Sequence, residues 1–345
     1  MIEIDGAAGE GGGQVVRTAL TLAMSTASPI TIHNLRARRH KPGLRAQHLA
    51  AVRAAAMICG ARIEGAAIAS TRLTFVPGAL RPGHYEIDVG TAGSTLLVLQ
   101  TVLPALALCN APSQLLLRGG THNPRAPTFE FIEQAYLPLL ARLGYRAGVR
   151  LERHGFYPRG GGLVHATIEP LLHPQFLELL ERGPIRSRTA RVLISGLPSH
   201  IAQREIDVLR GRLGLQQDAC RIDSVSAPSA GNTLHVRLDS LNVNTVFCGF
   251  GIRGVPAETV ASRVADEVER YLAATVALDS HLADQMLVPL ALAAGGRFST
   301  LAPSGHTQTN AEVIKRFLAI DYEALELGPN RWNITLRPRS PPRLI

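Results

Sequence analysis

Two stretches of this 345-residue chain, 2–76 and 84–168, follow one order of elements, and that repetition limits the folds open to it. The first predicts strand 2–5, a glycine loop, helix 13–26, strand 29–34, helix 43–58, and strands 61–65 and 70–76. The second predicts strand 84–89, a Gly-Thr-Ala-Gly-Ser loop at 90–94, helix 95–109, strand 113–118, helix 127–143, and strands 145–152 and 162–168. Both read β-α-β-α-β-β, the apolar period switching between that of a strand and that of a helix. Gly60 and Gly144 follow the second helix of each unit, where a left-handed cap belongs.

A third copy is interrupted. From about residue 181 the pattern becomes strand 189–195, helix 199–213, strands 219–226, 233–239 and 244–249, and helix 256–275. The repeat then resumes with helix 281–294, strand 297–301, helix 308–319, and strands 321–327 and 331–337. The expectation is an α/β (α+β) protein. Residues 1–180 plus 276–338 form a large three-repeat domain, and 181–275 form a smaller inserted α/β domain within the usual size range. A tail at 339–345, rich in proline and charge, is not expected to be ordered. Whether strand 189–195 belongs to the insert or to the third repeat is open at this stage.

Apolar residues at 46% and charged residues at 18% exclude a disordered chain. The net charge of +9 is carried mostly by arginine, whose planar fork suits phosphates and stacked bases. An anionic polymer is therefore an expected partner, although charge does not separate RNA from DNA or from a nucleotide. Cys59, Cys109, Cys220 and Cys248 lie far apart without metal-ligand spacing, which reads as buried thiols in a reducing compartment. No leader-like segment opens the chain, and no apolar run reaches about 18 residues. The expectation is a soluble, cytoplasmic protein with no membrane partner.

Four connections hold candidate chemistry. Gly9 to Arg17, Gly-Glu-Gly-Gly-Gly-Gln-Val-Val-Arg, joins a strand to a helix through glycines that permit close approach of a ligand. The helix start offers free N–H groups to an anion. Glu10 inside that loop makes sense if a divalent metal bridges it to phosphate; a tight turn with a solvated glutamate is the plainer alternative. Arg36 to His48 crowds Arg36, Arg38, Arg39, Lys41 and Arg45 ahead of a helix, where cations are disfavoured unless an anion joins them. Gly119 to Phe131 is the matching connection of the second unit, and its Pro127 and Phe131 offer a flat apolar wall or ordinary core. Ser304 to Asn310, Ser-Gly-His-Thr-Gln-Thr-Asn, puts His306 on a loop ahead of the expected N-caps Thr309 and Asn310. There it is a competent nucleophile or base, or simply a surface histidine.

At 154–162 the chain reads His-Gly-Phe-Tyr-Pro-Arg-Gly-Gly-Gly, a hairpin joining the last two strands of the second unit. Together with the glycine loop, the Arg-x-x-Arg-x-Lys-Pro-Gly-Leu loop and the Ser-Gly-His loop, it resembles the RNA 3′-terminal phosphate cyclase family, collinearly from residue 2 to about 337. The resemblance implies ATP-dependent closure of an RNA 3′-terminal phosphate to a 2′,3′-cyclic phosphodiester, through a histidine–AMP and then an RNA-adenylate anhydride. Carried over, His306 matches the adenylated histidine and Glu10 a ligand of a divalent metal, Mg or Mn. Gln100, Pro127, Phe131 and the run His281, Leu282, Ala283, Asp284, Gln285 match ATP contacts. Gln14, Arg17, Arg36, Arg39 and Gln47 match contacts to phosphate and the RNA end. The partner implied is RNA with a 3′-terminal phosphate; the oligomeric state is left open, a homodimer being one option. His281 stands where the resemblance leads one to expect a tyrosine stacked on adenine, and His122 where an acidic or neutral residue is expected. Two rivals are a non-catalytic branch that serves ribosome assembly and an enolpyruvyl transferase of related topology. The first lacks the nucleophile, and the second gives no reason for the 154–162 stretch.

Overall fold

The computed structural model describes residues 1–340, so the expected tail at 339–345 lies largely outside the described residues. The first sheet holds β1 (Ile2–Asp5), β2 (Ile30–His33), β3 (Arg62–Glu64) and β4 (Leu73–Val76), in the order β1-β2-β4-β3. Its helices are α1 (Gly13–Thr26) and α2 (Ala46–Cys59). The second holds β5 (His84–Asp88), β6 (Ser113–Gly119), β7 (Ala147–Arg153) and β8 (Gly162–Ile168), in the order β5-β6-β8-β7, with helix α3 (Thr95–Leu106). In both, the first pair of strands is parallel and the other pairs antiparallel.

The second helix of this unit, expected unbroken over 127–143, divides into α4 (Phe129–Phe131), a π-helical stretch (Ile132–Tyr136) and α5 (Leu137–Arg142). The widened turn falls directly ahead of Pro138, which has no N–H to give back to Gln134.

A third sheet has the order β15-β16-β14-β9. Its strands are β9 (Leu177–Leu179), β14 (Gly296–Thr300), β15 (Ile320–Gly328) and β16 (Arg331–Pro338). Strand β9 pairs parallel with β14, so it is the opening strand of this sheet, and the sequence pattern had not revealed it. Between β9 and β14 the chain builds the fourth sheet, β11-β10-β12-β13, from β10 (Ile185–Ser195), β11 (Cys220–Ser224), β12 (Gly231–Ser240) and β13 (Asn244–Phe250). Strand β10 thus joins the fourth sheet rather than the third. Helices α6 (Ser199–Leu213) and α7 (Ala257–Ala274) pack on this sheet and on each other.

Two clusters of buried apolar side chains result. The larger draws on the first three sheets and on α1, α2, α3, α8 (Ser280–Ala291) and α9 (Gly305–Lys315); the smaller on β10, β12, α6 and α7. Burying each stripe of Leu, Val, Ala and Ile is the dominant stabilising term. Helix α1 lies against α2, α3 and α9, and α8 against α9, which brings the first turns of the helices from different sheets together. Among the described residues, no helix is long and apolar enough to cross a membrane, and all four cysteines are free.

Two polar features inside the packing are measurable. Thr18 Oγ1 on α1 donates to Asn310 Oδ1 on α9 at 2.7 Å, and both residues are buried. We expect Asn310→Ala to cost about 1–3 kcal/mol in denaturant titrations. Combined with Thr18→Val, the losses should fall short of additivity by about 0.5 kcal/mol or more; strict additivity would show that the bond does not couple the helices. Glu205 on α6 is fully buried, accepts from Asn232 Nδ2 at 2.8 Å, and is pushed by burial to about 7 from 4.5. Its contribution is complete below about pH 4.5 and is lost as pH rises through about 7. Glu205→Gln should flatten the stability–pH curve over that window by on the order of 3 kcal/mol, whereas an unchanged slope would contradict the shift.

Candidate active site

One cavity of about 830 Å³ opens where α1, α3, α8 and α9 converge. Every residue that the resemblance assigns to the site lines it except Leu282 and Ala283, whereas Arg38, Lys41 and Arg45 of the basic loop do not. Those two are buried, while His281, Asp284 and Gln285 line the cavity, as does Val288. Residues one, four, five and eight of such a run share a helix face; the second and third turn into the core.

The glycine loop forms one edge. Gly9 has φ +58°, and a Cβ there would fall 2.1 Å from Thr309 Oγ1, so the loop can lie against α9 only with glycine at this position. Gly13 leaves no room either, because a Cβ would meet His48 Nε2 at 2.2 Å. Helix α1 begins at Gly13 with no side-chain cap, which leaves its first N–H groups free toward the cavity.

His306 sits in the first turn of α9, not on a loop. The helix starts three residues earlier than the pattern indicated, and its N-cap is Ser304; Thr309 and Asn310 lie inside it. Ser304 Oγ accepts from Thr307 N at 3.1 Å and donates to Asp284 Oδ1 at 2.7 Å; Thr307 Oγ1 donates to the same Asp284 oxygen. Asp284 Oδ1 therefore clamps the turn that bears His306. Burial raises the Asp284 carboxyl, with the bonds from Thr307 and Ser304 pulling the other way. His306 Nδ1 is buried without a hydrogen-bond partner among the described residues. Nε2 faces Glu10 Oε2 at 3.1 Å. Arg39 Nη2 completes the group, donating to Glu10 O at 3.0 Å and lying 3.4 Å from Oε2.

Arginines form the adjoining wall. Arg36, at φ +52°, donates through Nη1 to Lys41 O at 2.9 Å and Gly43 O at 2.8 Å, which stiffens the basic loop from within. Burial first, then Arg45 and Arg39, lower its affinity for its proton. Arg17, on the cavity side of α1, is drawn down by burial to about 10 and so remains cationic at neutral pH. Gln14 lines the same wall, and Gln47 Oε1 accepts from Ser94 N at 3.2 Å.

His48 was not singled out. It is buried beside Arg17, and its Nδ1 accepts from Arg45 N at 3.1 Å. Burial, then Arg17, Arg36 and Arg45, hold it near 3, a neutral ring among cations. Its position three residues into α2, where a capping box places Glu or Gln, was the available signal.

The opposite wall is less charged. Pro127 and Phe131 line it, with Gln100 Nε2 donating to Gln285 Oε1 across the gap between α3 and α8. Pro104 and Pro289 lie four residues beyond these glutamines, so the backbone carbonyls of Gln100 and Gln285 lose their usual helical donors beside the cavity. His281 is exposed at the start of α8, where Asp279 Oδ1 caps its N–H at 2.8 Å. The fourth sheet also reaches the cavity through Val246, Phe247 and Cys248 of β13, a contribution that no sequence motif indicated.

Three comparisons bear on this arrangement. The family model for RNA 3′-terminal phosphate cyclase matches residues 8–324. A protein of Koribacter versatilis (strain Ellin345) named RNA 3′-terminal phosphate cyclase is 45% identical over 327 residues, 94% of this chain and 92% of that protein. The crystal structure of the enolpyruvyl transferase NikO from Streptomyces tendae aligns at 11% identity and TM-score 0.37, over 96% of this chain and 47% of that one, a likeness too loose to bear on fold or function. The sequence match spans the glycine loop, the basic loop and the first turn of α9, and the chain belongs to the RNA 3′-terminal phosphate cyclase family.

Proposed function

We propose that the protein closes the 3′-terminal phosphate of an RNA to a 2′,3′-cyclic phosphodiester, consuming ATP, with His306 as the nucleophile. The observation that supports this most is the meeting of His306 Nε2 and Glu10 Oε2 at 3.1 Å in a cavity walled by Arg17, Arg36 and Arg39. In this reading Nε2 attacks the α-phosphorus of ATP and pyrophosphate leaves, carrying the displaced electron pair. A 3′-terminal phosphate oxygen then takes the AMP from the histidine and frees the imidazole. The neighbouring 2′-hydroxyl attacks the phosphorus of the 3′-terminal phosphate, losing its proton, and AMP departs with the anhydride oxygen as the ring closes. Proximity drives the last step, since the hydroxyl is held beside the phosphorus it attacks.

The division of the cavity gives each part of the substrates a place. The adenine lies on the side of Pro127, Phe131, Gln100, Gln285 and His281. The phosphates meet Gln14, Arg17, Arg36, Arg39 and the free N–H groups of α1, and arginine forks suit a terminal phosphate dianion. Gln47, at the start of α2, lies on the side of the RNA end. Asp284 positions the nucleophile, and Leu282 and Ala283 support it from the core. A divalent ion, Mg or Mn, at the partly exposed Glu10 carboxylate would neutralise phosphate charge; a single carboxylate suits an ion that takes its other ligands from water and phosphate. Residues 181–275 act as an inserted domain whose strand β13 closes one side. Four free cysteines agree with a cytoplasmic setting.

Incubation with ATP and Mg or Mn, without RNA, should add one AMP per chain by intact mass, and peptide mapping should find it on His306. His306→Ala should abolish the adduct. No added AMP, or AMP on another residue, rejects the assignment. For the base side, His281→Tyr should tighten ATP binding by roughly 2–10-fold through a larger stacking ring, and calorimetry showing equal or weaker binding would count against it.

A further inference from the structure

About the junction of the second and fourth sheets lies a group of side chains for which the reaction above has no use. His122 follows β6, Glu130 is in α4 and His235 is on β12; each is less than a tenth exposed. Glu130 Oε2 lies 2.9 Å from His122 Nε2 and 3.2 Å from His235 Nε2, and among the described residues this is the one group in which three such ligand atoms fall within 4.8 Å of one another. We propose that His122, Glu130 and His235 bind a divalent transition ion, zinc being the fitting choice, which ties the fourth sheet to the second.

Several independent features point that way. The donors are two imidazoles and a carboxylate, a borderline set that suits zinc. Four-coordinate zinc at its usual bond lengths holds its ligand atoms about 3.3 Å apart, so the carboxylate's separations from the two imidazoles, 2.9 and 3.2 Å, need change by only a few tenths of an ångström. His235 is the most telling. It is 3% exposed, and neither of its ring nitrogens has a hydrogen-bond partner among the described residues, although Nε2 is within 3.2 Å of a carboxylate oxygen. That is the geometry of two ligands aimed at a common point rather than at each other. An unpartnered imidazole so deeply buried is costly unless something else satisfies it.

The outer contacts are those of a metal site. His122 Nδ1 is paired with Thr121 Oγ1 at 2.7 Å, which fixes the ring with Nε2 facing Glu130. His154 stacks on the same ring at 5.3 Å between centroids. Arg191 Nη1 approaches the other carboxylate oxygen, Glu130 Oε1, at 3.6 Å, leaving Oε2 to the ion. Asp223 sits 2.6 Å from Arg191 Nε and offsets that cation. A cavity of about 180 Å³ borders Glu130 and His235, room enough for a water as fourth ligand.

The test uses the full chain, stripped by a chelator and then titrated with zinc against a chromophoric competitor, without nucleotide. One tight ion per chain is expected. His235→Ala and His122→Ala should each weaken it at least tenfold, whereas Glu10→Ala should leave it unchanged, which separates this ion from one at the nucleotide site. X-ray absorption on the zinc-loaded wild-type chain should count two imidazole ligands, a reading that does not depend on the variants folding. No tight zinc, zinc held equally by both histidine variants, or a spectrum without imidazole would each overturn the proposal. The cluster would then be a buried carboxylate shared by two imidazole rings.

Discussion

Much of the site depends on one buried carboxylate. Asp284 accepts the hydroxyls of Ser304 and Thr307 on a single oxygen, and its backbone carbonyl accepts Asn310 Nδ2 at 3.0 Å. Asn310 in turn receives Thr18 from α1. A chain of hydrogen bonds therefore runs from α8 through α9 to α1, linking helices that serve different sheets. Taking a carboxylate out of water is expensive, and two hydroxyl donors are what makes it tolerable here. These bonds hold the first turn of α9, and with it the backbone of His306, against the glycine loop.

Around that fixed point the cavity separates charge from stacking surface. Most of the cations come from α1 and from the loop ahead of α2, with Arg125 added from the loop ahead of α4, and the apolar and amide groups come from α3, α4 and α8. Arg36 shows how the cationic side is kept in place, since one of its nitrogens is spent on the carbonyls of its own loop while the rest remain available. His48 fills the space between Arg17 and Gly13 without adding charge, because burial and three arginines keep its ring neutral. A fully cationic filler there would repel Arg17, Arg36 and Arg45 beside it.

How much of this was legible depended on length and period. Strands and helices of ordinary length announced themselves by their spacing, and the glycine loops by the residue that tolerates conformations closed to the others. Strand β9 did not: its three residues, Leu177 to Leu179, show little alternation, and unlike the equally short β3 it stands at the break in the repeat, where no matching copy marks its place. The start of α9 was misplaced because Ser-Gly reads as loop, while the same serine is the N-cap that Asp284 holds. The cavity-facing members of α8 were recoverable from helical spacing, yet the run was carried over whole, so Leu282 and Ala283 came with it. The wall supplied by β13 was illegible in principle, since it depends on how the fourth sheet is docked and on no local pattern.

Arg17 has one more consequence. Its guanidinium stays charged in a partly enclosed recess, and no carboxylate lies within ion-pair distance of it among the described residues. The folded chain thus keeps a cation whose counter-charge must arrive from outside, and any anion that fits there binds the native form and not the unfolded one. Were inorganic phosphate or pyrophosphate such an anion, mass action would make the protein's resistance to heat depend on the salts around it, with a melting temperature above that in chloride at equal ionic strength.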